Sequence, residues 1–356
     1  MSTIIGLVST FRLPLQRNSG IDFLKIMLAI LIIMNHSIGH GIKTIDYNLY
    51  TSNQIFLNLI WAFANPAVNI FFLISGYFQI KRNKKSAIYF LETMIIIGTV
   101  SSIVSFFLGN MTVFSIVKAI ILPWSSWWFM TVYMILWILS PFINGLIDNI
   151  SDTELKELCY ILLLVTFLQG FVFNGAFWGT GFSFSQAITM YICGRYLSRK
   201  AISNIYRSSF FVILFALLTI IEFILYQISI AFFPAISDRL ASYSCPIVIL
   251  QSISLFLAFL KLDCSKIEKV MGYKMSRILK SCVLIVYLIS DFSGIKKYIF
   301  IPLVKLIKLS NLIFIPIFVY AIMLFILTIP LCVLLNFVSE KTYNKFIKFN
   351  ETQSDK

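Results

Sequence analysis

Apolar residues in this chain gather into runs of near twenty, the length a helix needs to cross a bilayer core. Charges, glycine, proline or asparagine separate them. The runs fall at 20–39, 54–80, 86–109, 127–147, 157–173, 183–198, 208–232, 243–260, 278–292 and 311–337. This pattern predicts an all-α, polytopic integral membrane protein of about ten transmembrane helices. A further stretch, 112–123, is apolar but short, and is expected at the membrane surface or as a re-entrant piece.

Composition supports the same solvent, because a chain that is 59% hydrophobic and 12% charged cannot hide its apolar surface in one soluble core. Its net charge of +14 would suit nucleic acid only if the basic residues lined one polar face. They stand instead in short clusters between the runs, so no nucleic-acid partner is expected. The positive-inside rule puts both termini in the cytoplasm, with Arg12, Arg17, the KRNKK cluster at 81–85, Lys156, Arg195, Arg199, Arg207 and the 261–280 loop. Lys43, Lys118, Arg239 and the lysines of 296–308 stay outside, and 294–310 is expected to lie in the interface as a helix interrupted at Pro302. MSTIIGLVST lacks the basic lead and cleavage site of a secretory signal, so the first run is expected to remain a helix. One membrane domain, 1–340, is predicted with a polar cytoplasmic tail, 341–356. The six cysteines have neither metal-site nor disulfide spacing and read as packing residues, and no metal is expected.

Ionisable residues inside such runs are functional candidates by default, because each costs several kcal/mol unless it faces water or a bundle interior. They are Asp22, Lys25 and His36 in the first run, Glu92 in the third and Glu222 in the seventh. Lys25 and His36 are eleven residues apart, close to three turns, so they share a face at roughly 16 Å along the axis. Asp22 lies one turn before Lys25 and can pair with it. On spacing alone, Lys25 snorkelling to the headgroups and His36 making an ordinary interhelical bond stand level with a chemical role. His36 lies in Asn35-His36-Ser37, where a neutral imidazole in a polar pocket can take a proton from a hydroxyl. His40 falls at the outer mouth, and Glu92 and Glu222 are expected to neutralise basic partners.

At this point the residues resemble a known family. RNSGIDFLKIMLAILIIMNHS is similar to the first helix of the integral-membrane acyltransferase-3 family, whose signature is a basic residue, ten intervening residues and a histidine, here Lys25 and His36. NPAVNIFFLISGYF resembles its FF-x-x-SG segment at Phe71, Phe72, Ser75 and Gly76; WWFMTVYMILWILSPFIN and ICGRYLSRK resemble two later motifs. The likeness runs from Arg17 to about Lys200 and more weakly to SCVLIVYLIS, where Ser290 stands in place of the histidine that members commonly carry.

The resemblance implies an O-acyltransferase that moves an acyl group, expected to be acetyl, from cytoplasmic acyl-CoA to a hydroxyl of a bacterial surface polysaccharide or its lipid-linked precursor at the plasma (inner) membrane. His36 is then the general base, with Lys25 and Asp22 beside it in the catalytic set. Lys25, Lys81, Arg82, Arg195 and Arg199 are candidates for the phosphates of acetyl-CoA, although the positive-inside rule alone accounts for all but Lys25. Asn35, Ser37, Phe71, Ser75, Gly76, Glu92, Trp128 and Tyr133 are expected to line the pocket, and Trp127 and Trp178 to meet the carbohydrate acceptor, unless they form the aromatic belt common at membrane interfaces. Gly175, Gly179 and Gly181 give the Trp178 loop freedom to move over a substrate. Rival readings are a transporter or flippase for lipid-linked sugars, a glycan polymerase, or a catalytically inactive membrane partner.

Overall fold

The computed structural model describes residues 18–40, 52–109, 112–173, 181–199, 206–292 and 314–354. Every regular element among them is helical: α1 Ser19–His40, α2 Ser52–Ala64, α3 Ala67–Phe78, α4 Lys84–Phe107, α5 Val113–Ile121, α6 Trp128–Asn149, α7 Asp152–Val165, α8 Phe184–Arg199, α9 Ser208–Phe232, α10 Pro234–Leu240, α11 Pro246–Leu260, α12 Ser265–Met271, α13 Tyr273–Ser290 and α14 Phe314–Ser354. The expected interfacial segment 294–310 and the tryptophan at 178 lie outside the described residues.

Local chemistry explains the boundaries. Asn83 starts α4 by accepting from the Ser86 backbone N–H at 2.7 Å, and Ser151 with Glu154 forms a reciprocal capping box on α7. Both satisfy helix-end N–H groups that have no partner within the helix. The predicted run 54–80 is broken at Asn65-Pro66 into α2 and α3, because proline has no N–H to continue the ladder and disfavours helix at the residue before it. The end of α7 loosens into a π-helical stretch, Thr166–Val172.

Among the described residues, seven helical segments are long and apolar enough to cross a bilayer, or eight if α11 and α12, bent by 73° to one another, form one broken span. The expected count of about ten is therefore not confirmed among the described residues. Of the expected spans, 183–198, 243–260 and 278–292 are helices that fall short. The 16 residues of α8 rise about 24 Å, less than the hydrocarbon thickness of about 30 Å. Its polar positions point inward: Gln186 donates to Asn69 Oδ1 at 3.1 Å and to the Tyr243 carbonyl at 3.0 Å. α5 is short, as expected, and exposes Val113, Phe114, Val117, Ile120 and Ile121. The predicted polar tail continues α14 as helix through Ser354.

The bundle has an inner group and an outer shell. α3 is buried nearly all round, with Ala67, Ile70, Phe72, Leu73 and Gly76 all enclosed, whereas α9 exposes Val212, Ile213, Leu217, Ile220 and Ile224 along one stripe. Such a stripe suits lipid. The tightest pairing is α3 with α8, where Gly76 and Gly194 face the partner backbone directly. α1 packs against α2, α11, α13 and α14. α1 and α13 run parallel, since Lys280 meets Asp22 at one end and Ser290 meets His36 at the other.

Candidate active site

A cavity of about 440 Å³ opens between α1, α3, α4, α6 and α13. Lys25, Lys81, Ser86 and Lys280 lie at one end, and Asn35, His36, Trp128, Tyr243 and Tyr287 at the other. Phe71, Phe78, Phe90, Phe129, Tyr133 and Trp137 line the stretch between them. The two ends are joined by α1 itself, which sets Lys25 and His36 on one face about 16 Å apart along its axis.

The cationic end is a small network. Asp22 accepts from Lys280 at 2.8 Å and lies 3.9 Å from Lys25; Glu268 of α12 is 3.5 Å from Lys280. Lys25 also sits over the Phe78 ring, 5.9 Å from its centroid. Asp22 does not line the cavity and acts by holding the two lysines together.

At the far end His36 Nδ1 is 2.9 Å from Ser290 Oγ, and Nε2 is 4.0 Å from Asp291 Oδ1. The Ser290 hydroxyl donates to the Tyr287 carbonyl at 3.2 Å, and the Tyr287 hydroxyl donates to Asp291 Oδ2 at 3.1 Å. Serine thus takes over a contact with the imidazole at the position where the resemblance led one to expect histidine.

Of the residues expected to line the pocket, Asn35, Phe71, Ser75, Trp128 and Tyr133 do so, together with Lys25, Lys81 and His36. The others have different work. Ser37 is buried and bonds its own helix at the Ile33 carbonyl, 2.8 Å away. Gly76 abuts the Tyr191 backbone of α8. Glu92 accepts from Ser339 at 2.6 Å, tying α4 to α14, and Glu222 accepts from Asn65 at 3.0 Å, tying α9 to the break before α3. Neither described partner is the basic residue the sequence led one to expect.

The predicted phosphate-binding arginines separate in the same way. Arg195 is 1% exposed, 2.6 Å from Asp148, and its guanidinium also meets the Gln79 side-chain amide, whose oxygen accepts from it once the amide is turned, bracing a residue whose φ of +61° is unusual for anything but glycine. Arg199 bonds Asp152 at 3.3 Å and the Ile147 and Ile150 carbonyls. Arg195 holds α8 to the end of α6, Arg199 holds it to both the end of α6 and the start of α7, and neither lines the cavity. Arg82 caps the Ile138 carbonyl at 3.2 Å and stacks on Trp137, beside the cationic mouth. Trp127 is fully buried and donates to the Leu288 carbonyl at 3.0 Å, so it clamps α6 to α13 and is not exposed to an acceptor.

Sequence reasoning missed Lys280, Tyr287 and Asp291. A signal was present: Lys280 and Asp291 are separated by ten residues, the spacing of Lys25 and His36. Two parallel helices thereby present a cation at one level and a proton-handling group at the other.

A family model described as an acyltransferase domain, acyltransferase-3, matches residues 18–337. The chain belongs to the acyltransferase-3 family. Membership makes it a multi-pass membrane acyltransferase, and it rules in the resemblance first carried by Lys25 and His36. The match extends through α13, so the departure at Ser290 occurs inside a member of the family. No curated protein and no solved structure matched the chain.

Proposed function

We propose that this acyltransferase takes an acyl group, acetyl first among candidates, from acyl-CoA and transfers it to a hydroxyl of a cell-surface polysaccharide or its lipid-linked precursor. The observation that carries the reading is one cavity with Lys25, Lys81 and Lys280 at one end and His36 at the other. The donor's phosphates suit the lysines, its extended thiol arm suits the aromatic stretch, and its thioester then comes to the imidazole. The KRNKK cluster adjoins the cationic mouth, which favours that end as cytoplasmic, where acyl-CoA is made.

His36 acts as general base. It takes the proton of the sugar hydroxyl while the oxygen attacks the thioester carbonyl; the tetrahedral intermediate then collapses with cleavage of the carbon–sulfur bond, and the imidazolium returns its proton to the departing thiolate. An ester and free CoA result. Lys25 and Lys280 bind, and Trp128 and Tyr243 offer aromatic faces for a sugar ring where it meets His36.

The test compares the surface glycan of cells lacking the gene, cells carrying it, and cells carrying His36→Ala at matched membrane abundance, by NMR and mass spectrometry of ester-linked acyl groups. Esters that return with the gene and not with His36→Ala support the reaction and name the acceptor. A glycan unchanged in all three moves the assignment to a transporter or an inactive partner.

A further inference from the structure

The arrangement around His36 leaves one question that its position alone does not answer: which ring nitrogen carries the proton, and what balances the charge when the ring becomes imidazolium. Ser290 Oγ has one hydrogen and two acceptors in reach, the Tyr287 carbonyl at 3.2 Å and the imidazole Nδ1 at 2.9 Å. With the hydrogen on the carbonyl, the oxygen accepts from Nδ1–H, and the neutral ring has its lone pair on Nε2. Asp291 Oδ1 lies 4.0 Å from Nε2, too far for a hydrogen bond to a neutral ring but close enough to attract a charged one. The carboxylate is itself oriented by the Tyr287 hydroxyl on its other oxygen.

We propose that Ser290 and Asp291 are a positioning pair for His36: Ser290 fixes the ring with Nδ1 protonated and Nε2 ready to accept, and Asp291 stabilises the imidazolium formed when Nε2 takes a proton. Tyr287 serves both, through its carbonyl to Ser290 and its hydroxyl to Asp291. The inference rests on the general-base reading above. It goes beyond it by assigning the reacting nitrogen and a counter-charge for a ring that the family signature pairs only with Lys25, at the distant end of the cavity. Among the described residues, the titratable groups that share this end with His36 are Tyr287 of α13, Asp291 just after it and Tyr243 of the α10–α11 linker. Asp291 is the one among them that can be anionic at neutral pH.

Two experiments test it. The chain has two histidines, so nitrogen-15 NMR of histidine-labelled protein, with His40→Gln to assign the pair, reads the His36 tautomer without requiring any activity. The expected result is the Nδ1–H form in the wild type, shifting toward Nε2–H in Ser290→Ala and retained in Ser290→Thr. An Nε2–H wild-type ring overturns the proposal even if the enzyme proves to be an acyltransferase.

The second experiment is the pH profile of turnover. Asp291→Asn should lower kcat by at least about tenfold with little change in donor KM, and move the acid limb to lower pH, since loss of the carboxylate disfavours the protonated ring. Asp291→Glu should recover part of both. A fall in kcat with the acid limb unmoved assigns Asp291 a merely structural role and overturns that half of the pair. If wild-type protein transfers no acyl group, the general-base reading fails, while the tautomer measurement still decides the geometry.

Discussion

Replacing Gly194 with alanine tests how closely α3 and α8 must approach for the cavity to exist. A Cβ at Gly194 would overlap the Leu73 carbonyl oxygen, lie 2.8 Å from the Tyr77 backbone nitrogen and 3.1 Å from the Gly76 Cα. All three are backbone atoms, so no flexible side chain can yield and the helices must part by about 1 Å. Overpacking a tight contact costs about 1–3 kcal/mol, and occasionally more. The same interface carries the Tyr191 hydroxyl accepting from Ile80 N–H at 3.3 Å and Gln186 donating to Asn69 at 3.1 Å, each worth about 1 kcal/mol net. The expected loss is about 3–4 kcal/mol, or on the order of 5 °C or more in apparent Tm, read from thermal unfolding of detergent-purified protein. Gly145→Ala is the control: a Cβ there meets nothing within 4 Å, and the change should be neutral or stabilising by up to about 1 kcal/mol. Equal stability of Gly194→Ala and wild type would refute the close-packed α3–α8 pairing.

Three further outcomes follow from the site. Lys280→Ala and Lys25→Ala should each raise the KM for acyl-CoA about tenfold with kcat largely kept, the pattern of lost uniform binding; a kcat loss at constant KM would remove them from the donor end. Asp148→Ala should cost about 1–2 kcal/mol in thermal stability, less than a fully buried pair because Asp148 itself is half exposed, and should leave donor KM alone, whereas a folded variant with altered donor KM would restore Arg195 as a donor ligand. Trp127→Phe should cost about 1 kcal/mol through the lost bond to the Leu288 carbonyl without changing acceptor KM, measured by the same unfolding assay and by initial rates.

Much of the molecule was legible in the order of its residues because bilayer-length apolar runs leave few alternatives. Lys25 and His36 were legible as a pair because both sit on one helix, where spacing alone fixes the shared face. Ser290 and Asp291 could not be joined to His36 in that way, since more than 250 residues intervene and only the parallel packing of α1 on α13 brings them together. α8 reads as a span by its position between runs, yet its inward-facing Gln186 and Arg195 make it an interior helix. Arg195 and Arg199 illustrate a related limit: a basic residue at a helix end can bind a ligand's phosphate or brace a neighbouring helix, and the sequence offers the same letters for both. The tryptophan pair at 127 and 128 divides for a geometric reason, as Trp127 is the extended residue that precedes α6 and Trp128 its first helical residue; Trp128 lines the cavity and Trp127 points into the α13 interface.

Calorimetric binding of acetyl-CoA to purified wild type, Lys25→Ala and His36→Ala, with turnover measured on the same samples, shows whether one cavity holds the donor at the lysine end and carries out chemistry at the histidine end. His36→Ala should bind like the wild type and not turn over, while Lys25→Ala should bind about tenfold more weakly. Binding that is absent in the wild type, or equally strong in all three with turnover intact, would contradict that arrangement.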